Sequence, residues 1–266
     1  MNFFDTLWDC LNESNFSSKV VKIRAIQTNF DSYNFERTSK AKALVKPSYA
    51  DFCKVYEISN FPRSKGDKTA SFLHAVAHIE YSAIDIALDA CYRFDKLPKE
   101  YYADWLEVAS DEVRHFELIN KELEKTKLKY GDLPVHNGLF VALQKTAHSL
   151  THRMALLPRH LEASGLDANT NILSKMDAQN ELIPLLELIR DEEISHVKKG
   201  DKWFKYACER ENIDPNSWLE IVLSYYPKAF FNPKPIDKER RTQAGFSQQE
   251  IEKIEEIIKN SAKESK

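Results

Sequence analysis

The sequence contains two copies of a Glu-x-x-His step, and each copy is preceded by a further glutamate at nearly the same interval. The six residues of this Glu/His pattern are Glu80, Glu112, His115, Glu162, Glu193 and His196. The first two glutamates are 32 residues apart, and the second two are 31 apart. Four carboxylates and two imidazoles are the ligand set of a two-metal carboxylate site. Such a mixture suits iron or manganese.

A single Glu-x-x-His step would be weak support for a site, because charged helices often show that spacing on a solvated face. Here all four glutamates fall on apolar stripes, where an unpaired charge would be strongly destabilising. No basic residue shares these stripes at the same level. Metal ions therefore explain the buried carboxylates better than Lys or Arg partners do.

The elements that must position these residues are four long helices, indicated by the period of the apolar residues. We predict them from Thr69 to before Pro98, at about 99–127, at about 137–164 and at about 181–210. In the first helix Glu80 shares its stripe with Val76, Ile79, Ala83, Ala87 and Cys91. The second helix places Glu112 with Trp105, Ala109, Phe116, Ile119 and Leu123.

The third helix and the chain after the fourth contain several breaking residues. Pro158 should kink the third helix or loosen its hydrogen bonds, and Gly165 should end it. A short element is expected at about 170–178. After Pro215 we predict an extended aromatic arm, followed by a last short helix over Ser247–Lys259.

The predicted fold class is all-α, built on a ferritin-like four-helix bundle. We divide the chain into an N-terminal extension and linker (1–68), the bundle (69–210) and a C-terminal arm (211–266). The arm, aromatic and rich in proline, is expected to pack on the bundle with its short helix. A Glu from each of two helices and a Glu-x-x-His from each of the other two then point inward.

Composition narrows the functional classes. The chain has 266 residues, 42% of them apolar and 30% charged, with a net charge of −3. This balance is that of a soluble helical protein and gives no general electrostatic reason to expect nucleic acid as a partner. No signal-peptide core and no run of 18 apolar residues is found, so we expect a cytoplasmic protein that does not span a membrane.

The four cysteines are scattered, with no Cys-x-x-Cys pair, so neither a zinc knuckle nor a disulfide framework is indicated. We expect reduced thiols. A built-in rubredoxin-type iron centre is absent for the same reason. Electrons for oxygen chemistry would then come from a separate donor protein.

Three further residues are candidates for supporting the ligands. Asp111 and Glu192 directly precede Glu-x-x-His glutamates, and each could accept a hydrogen bond from the ligand imidazole on the opposing helix. A plain surface charge is an equally good interpretation of Glu192. Asp111 has Arg114 as a candidate partner.

Other residues of similar chemistry have simpler explanations. His74 and His78 lie on other sides of their helix from Glu80, so we expect surface or helix-packing roles. His148 and His152 are four apart but have no accompanying carboxylate. Tyr81 is expected to be a packed aromatic, with redox chemistry as the alternative. Three residues near Pro158 are expected to line the cavity or bind an anionic substrate: Arg153, Arg159 and His160.

Several segments resemble an uncharacterised bacterial ferritin-like family, domain of unknown function 455. The segments are Leu73–Glu80, Asp111–Phe116, Leu156–Asp167, Arg190–Val197, Phe231–Pro233 and Ala244–Phe246. The resemblance covers roughly residues 60–255 and implies a ferritin-like fold. It supplies no activity.

More distantly, the ligand pattern resembles di-iron carboxylate proteins: rubrerythrins, bacterial multicomponent monooxygenases, the small subunit of ribonucleotide reductase and a tRNA-hydroxylating monooxygenase. That resemblance implies that Glu112 and Glu193 bridge both metals. Glu80 with His115 would complete one metal, and Glu162 with His196 the other. The acid before the second ligand step is Glu192 rather than Asp, which departs from the pattern of those proteins.

The function expected from these observations is a di-iron oxidoreductase (an oxidase, hydroxylase or peroxidase) that activates O2 or peroxide. Manganese or a mixed Fe/Mn pair is the alternative to two Fe ions. Its partners would be an electron-donor protein, an unidentified small-molecule substrate and a second copy in a homodimer. One alternative function is a non-catalytic metal-binding, storage or structural protein, although the long extensions would hinder a storage cage. The other is an RNA-modifying hydroxylase, although acids are interleaved with its lysines.

Overall fold

The structure of the chain, a computed structural model, describes residues 1–62, 66–230 and 235–264. Three sets of residues lie outside that range: residues 63–65 of the predicted linker, the Phe231–Pro233 segment together with residue 234, and the last two residues.

The predicted all-α class is confirmed. The α-helices of the described residues are α1 (Phe3–Leu11), α2 (Phe16–Thr28), α3 (Lys68–Arg93), α4 (Lys99–Lys125), α5 (Gly138–Lys145), α6 (Leu150–Leu156), α7 (Ala163–Leu173), α8 (Ile183–Glu211), α9 (Trp218–Tyr225), α10 (Lys238–Gln243) and α11 (Gln248–Glu264).

Short elements complete the described part of the chain. A π-helical turn, Leu157–Glu162, joins α6 to α7. The two strands are β1 (Val55–Tyr56) and β2 (Val135–His136), which pair in parallel. Single 3₁₀ turns are formed by Phe30–Ser32, Ser48–Asp51, Ile58–Asn60 and Pro215–Ser217.

The chain divides into two compact units, Met1–Lys145 and Thr146–Lys266. No helix of the described residues is both long enough and apolar enough to cross a membrane.

The first unit is built on a helix hairpin, α3 and α4, which pack against each other. The side chain of Asp67 begins α3 by accepting a hydrogen bond from the Ala70 N–H at 2.8 Å. All six residues of the predicted α4 stripe are buried. On α3 the buried stripe runs through Leu73, Ala77 and Ile84. Ile79, predicted to lie in that stripe, is 51% exposed instead.

The N-terminal extension, to which the sequence assigned no secondary structure, contains α1 and α2, and both helices pack on this hairpin. Lys19 of α2 is fully buried, and its ammonium lies 2.5 Å from the Asp85 carboxylate of α3. Ser48 donates its hydroxyl to the same carboxylate at 2.7 Å and accepts a hydrogen bond from Lys19 at 2.8 Å. The extension is therefore anchored to α3 by a buried polar network.

The third predicted helix, about 137–164, is wrong as a single element. It ends at Lys145 and starts again at Leu150, where the Ser149 side chain accepts a hydrogen bond from the His152 N–H. Gly165 does not end a helix, because α7 continues through it to Leu173. This helix also takes the place of the short element expected at about 170–178.

The fourth predicted helix is confirmed as α8, with Pro184 in its first turn. The predicted extended arm after Pro215 is instead largely helical in its described part, because Trp218–Tyr225 forms α9 and packs on α6. The predicted last helix is confirmed as α11 and runs further than expected.

All four cysteines are free and buried, as the sequence predicted for reduced thiols. Burial raises the pKa of Cys10 to about 12 and the pKa values of Cys53 and Cys208 to about 11. Burial also raises the pKa of Cys91 well above its ordinary value.

Candidate metal site

The first unit gathers three residues of the Glu/His pattern: Glu80, Glu112 and His115. The uninterrupted turns of α4 place Glu112 and His115 on one face, since residues three apart are neighbours on a helix surface. The packing of α3 against α4 brings Glu80 to the same place. The three side chains are almost completely shielded from solvent, with exposures of 6%, 1% and 0% in sequence order.

Distances within this group fit a shared cation. The Nδ1 atom of His115 lies 3.5 Å from Oε2 of Glu80 and 3.6 Å from Oε2 of Glu112. Each of the three residues offers one ligand atom, and these atoms lie within 4.8 Å of one another. Ligand atoms bound at about 2.1 Å to one ion, at roughly 90–110° to each other, would be about 3.0–3.5 Å apart. A charge-assisted hydrogen bond would be shorter, at about 2.7–2.9 Å. The group is a buried Glu/His cluster that could hold a metal ion.

The second unit repeats the Glu-x-x-His step on α8. The Nδ1 atom of His196 lies 3.5 Å from Oε2 of Glu193, a geometry close to that of the first step. His196 is fully buried, and the Glu193 side chain is 15% exposed. Glu162 is the last residue of the π-helical turn, which packs against α8.

Pro158 of the π-helical turn packs against Gly200 of α8. Pro158 has no N–H and so cannot donate an intrahelical hydrogen bond, which agrees with the predicted loosening of the helix at this position. Gly200 of α8 lies directly against it, because a Cβ built on Gly200 would be 2.4 Å from the Pro158 Cβ. The missing side chain thus allows α8 to approach the turn closely. Single π turns within helices are frequent at functional sites.

Of the predicted supporting residues, Asp111 has the partner that was expected. The Arg114 guanidinium lies 3.4 Å from the Asp111 carboxylate. Glu192 is half-buried on α8. A hydrogen bond from either acid to a ligand imidazole remains a prediction.

His74 and His78 are packing residues, and the surface alternative is wrong because both are buried. The ring of His74 accepts hydrogen bonds from the backbone N–H groups of Gly131 and Leu133. His78 contacts the Tyr130 hydroxyl through Nδ1 and the His136 carbonyl through Nε2, both at 2.8 Å. Burial lowers the pKa of His78 to about 4. The two rings attach the segment around β2 to α3.

The residues around Pro158 have internal partners. Arg159 is fully buried and lies 2.8 Å from the Asp201 carboxylate and 2.6 Å from the Glu250 carboxylate. Its guanidinium is therefore committed to an ion-pair network rather than to an anionic substrate. Arg153 donates to the Thr146 hydroxyl at 2.7 Å. Burial, followed by the charge of Arg241, lowers the pKa of His160 to about 4.

The remaining candidates also have structural roles. His152 bonds the Tyr225 hydroxyl at 2.6 Å, and its ring lies 5.2 Å from that of His148. Neither histidine joins a three-residue ligand group within the described residues. Tyr81 is fully buried among other aromatic rings, which confirms the expected packing role.

The sequence did not reveal the buried ion pairs that fix the helices from outside the Glu/His pattern. These pairs join Lys19 to Asp85 and Arg159 to Asp201 and Glu250, although Arg159 itself was a candidate for another role. One signal was available, because Ser247 and Glu250 have the spacing of a capping box at the start of a helix. No local signal identified Lys19, whose partner is 66 residues away.

Comparison with known proteins gives a family without a described activity. The sequence profile described as "Protein of unknown function (DUF455)" matches residues 12–252. A relative described as an uncharacterized protein, from Haemophilus influenzae (strain ATCC 51907 / DSM 11121 / KW20 / Rd), is 38% identical over 198 residues. That alignment covers 71% of this chain and 68% of the relative. No solved structure gives a significant match. The profile match includes every residue of the Glu/His pattern.

Proposed function

The chain belongs to the DUF455 family, and we propose that it is a ferritin-like di-metal carboxylate protein, an oxidoreductase that uses O2 or peroxide. The observation that carries the proposal is the buried cluster of Glu80, Glu112 and His115. Two carboxylates and an imidazole are gathered there at ligand-like spacings. Buried carboxylates are stabilised by a nearby positive charge, and a bound cation would supply one.

The second Glu-x-x-His step supports two metals rather than one. Glu193 and His196 on α8 reproduce the geometry of Glu112 and His115 on α4. We propose that the two Glu-x-x-His steps belong to one ferritin-like four-helix bundle. Glu112 and Glu193 would bridge the metals. Glu80 and His115 would complete one metal, and Glu162 and His196 the other.

The donor set favours two iron ions, with manganese or a mixed pair as the alternative, because hard carboxylates predominate and no cysteine takes part. When bound, the metals would supply the redox chemistry, which side chains alone lack. The protein residues fix the carboxylates and imidazoles in place and shield them from water. Asp111 and Glu192 would hold the ligand imidazoles in one tautomer. A separate donor protein would deliver electrons for the oxidation of a small-molecule substrate.

Metal content per chain tests this proposal directly. The protein is expressed with iron and manganese supplements, purified without chelator and analysed by elemental mass spectrometry. We expect about two metal ions per chain, because the Glu/His pattern supplies the ligand set of a two-metal site. Glu112→Gln keeps the size of the side chain but removes the proposed bridge, and it should lose both metals. Glu117→Gln, which changes an exposed carboxylate of the same helix, should retain them.

Two results would contradict the proposal. One is wild-type protein that binds no metal even after anaerobic reconstitution with Fe(II); the other is Glu112→Gln protein that keeps two. An oxidoreductase should also consume O2 after chemical reduction and develop a diferric absorption band. Two bound metals without either property would favour a structural metal site. Loading far beyond two per chain would favour storage.

A further inference from the structure

The π-helical turn is held by the C-terminal part of the chain. We infer that α11 positions Glu162, and that it acts through the contact between Glu250 and Arg159. The inference rests on the proposed function for the role of Glu162 as a ligand. The positioning itself is a property of the second unit alone.

The orientation of Glu162 depends on whether the turn is π-helical or α-helical. One extra residue in a turn displaces the following residues by about 100° around the helix axis, since an α-helix has 3.6 residues per turn. Glu162 ends this turn. A relaxation of Leu157–Glu162 to regular α-helix would therefore move its carboxylate to another face.

Arg159 lies in the middle of the turn and has two carboxylate partners on other helices. Its Nε donates to Oδ1 of Asp201 on α8 at 2.8 Å, and its Nη2 donates to Oε1 of Glu250 on α11 at 2.6 Å. The guanidinium also lies 4.7 Å from the centre of the Trp218 ring and 4.6 Å from that of Phe246. The stability of an ion pair in such apolar surroundings depends strongly on its geometry, and loss of one partner leaves a buried charge without its counter-charge.

Glu250 is itself fixed at the first turn of α11. Its Oε2 accepts hydrogen bonds from the backbone N–H of Ser247 at 2.8 Å and from the Ser247 hydroxyl at 2.9 Å. These bonds leave Oε1 directed at Arg159. Burial alone would raise the pKa of Glu250, but the Arg159 charge and the Ser247 N–H hold this pKa below its ordinary value.

A second ion pair holds the chain just after Glu162. Arg241 of α10 forms a paired contact with the Asp167 carboxylate of α7, the shorter bond being 2.6 Å. The same carboxylate accepts the Asp237 N–H at 2.8 Å. The segment from Asp237 to Glu250 thus holds the helix three residues before Glu162 and five residues after it.

Amide hydrogen exchange of the metal-free protein tests the positioning without reference to metal. Glu250→Gln removes the charge that holds Arg159. The control is Glu255→Gln, the same substitution on the same helix, which breaks an exposed ion pair with Lys238. We expect the amides of Leu157 and of residues 159–163 to exchange on the order of tenfold faster in Glu250→Gln than in the control, since a charged hydrogen bond is lost. Equal exchange in the two variants would overturn the inference.

Metal affinity, measured by competition with a chromophoric chelator, tests the consequence for the site. Mutation of a residue that orients a metal ligand typically lowers metal affinity by about 10–100-fold. We expect such a loss in Glu250→Gln and none in Glu255→Gln. Unchanged affinity would overturn the link to Glu162. The wild-type protein could bind no metal while Glu250→Gln still exchanges faster than the control. That result would refute the proposed function and leave the inferred positioning of Glu162 intact.

Arg159→Lys provides the same comparison if Glu250→Gln does not fold. It keeps the positive charge but cannot donate in the fork geometry that reaches both carboxylates. Faster exchange of the same amides is again the expected result. Exchange as slow as in Glu255→Gln would contradict the inference.

Discussion

The two units contain nearly the same Glu/His spacing on very different backbones. In the first, Glu80 and Glu112 lie on α3 and α4, two long helices without interruption. In the second, Glu162 follows one short helix, α6, and ends a π-helical turn, whereas Glu193 lies on the uninterrupted α8. A repeated Glu/His spacing therefore does not require a repeated helix geometry.

The two units also differ in what fixes the helices that carry the Glu/His residues. Each contains a fully buried cation paired with carboxylates, Lys19 with Asp85 in the first and Arg159 with Asp201 and Glu250 in the second. Lys19 belongs to the N-terminal extension and reaches a regular helix. Arg159 belongs to the irregular turn itself and is held by later helices. The α3–α4 hairpin is thus held by a cation on a different helix, α2. The helices of the second unit are held through a cation that lies within the π-helical turn itself.

The largest expected effect on stability is that of Lys19→Met. Removal of one partner of a buried ion pair leaves Asp85 uncompensated and typically costs about 3–5 kcal/mol. The control is Lys22→Met on the same helix, whose ion pairs with Asp9 and Glu13 are partly exposed and should be worth about 1 kcal/mol or less. Urea unfolding of the two variants measures the difference. Equal losses would show that the buried network does not anchor the extension.

An intermediate effect is expected from Gly200→Ala, which tests the close approach of α8 to the π-helical turn. The new Cβ would lie 2.4 Å from Cβ of Pro158 and 2.7 Å from its Cγ, so the packed helices must shift. Such overpacking typically costs about 1–3 kcal/mol. Thermal unfolding measures it, and a neutral substitution would contradict the tight contact between the helices.

The smallest expected effect, and one of opposite sign, is that of Gly165→Ala. This glycine lies within α7, and a Cβ added there would meet no atom within 4 Å. Alanine is a better helix former than glycine by about 0.5–1 kcal/mol, so the substitution should stabilise the second unit. A loss of stability in the same thermal assay would mean that the helix after the π-helical turn is not regular at this position.

The sequence was a good guide to α4, a long amphipathic helix without interruption. The stripe containing Glu112 was predicted in full, because a long amphipathic helix repeats its period many times. The prediction of one continuous helix over 137–164 was wrong. Phe140, Leu143 and Leu150 keep a helical period across the break, so the apolar pattern alone does not show it. Ser149, a favoured N-cap residue, was the local sign of a new helix.

The candidate site was predictable as a pattern but not as an assembly. Spacing alone identifies Glu112 with His115, because both lie on one helix face. The Lys19–Asp85 and Arg159–Glu250 pairs join residues 66 and 91 positions apart, so only the tertiary fold reveals them. The joining of all six Glu/His residues into one two-metal site remains a prediction.

The raised thiol pKa values make the four cysteines slow to react and useful as reporters. Alkylation and oxidation proceed through the thiolate, and a thiol of pKa about 11 is ionised at neutral pH in only about one molecule in ten thousand. Reagent therefore modifies these side chains mainly after a unit opens. Cys10, Cys53 and Cys91 lie in the first unit, and Cys208 lies in the second. Peptide-resolved alkylation would thus time the opening of each unit separately in the natural, unlabelled protein.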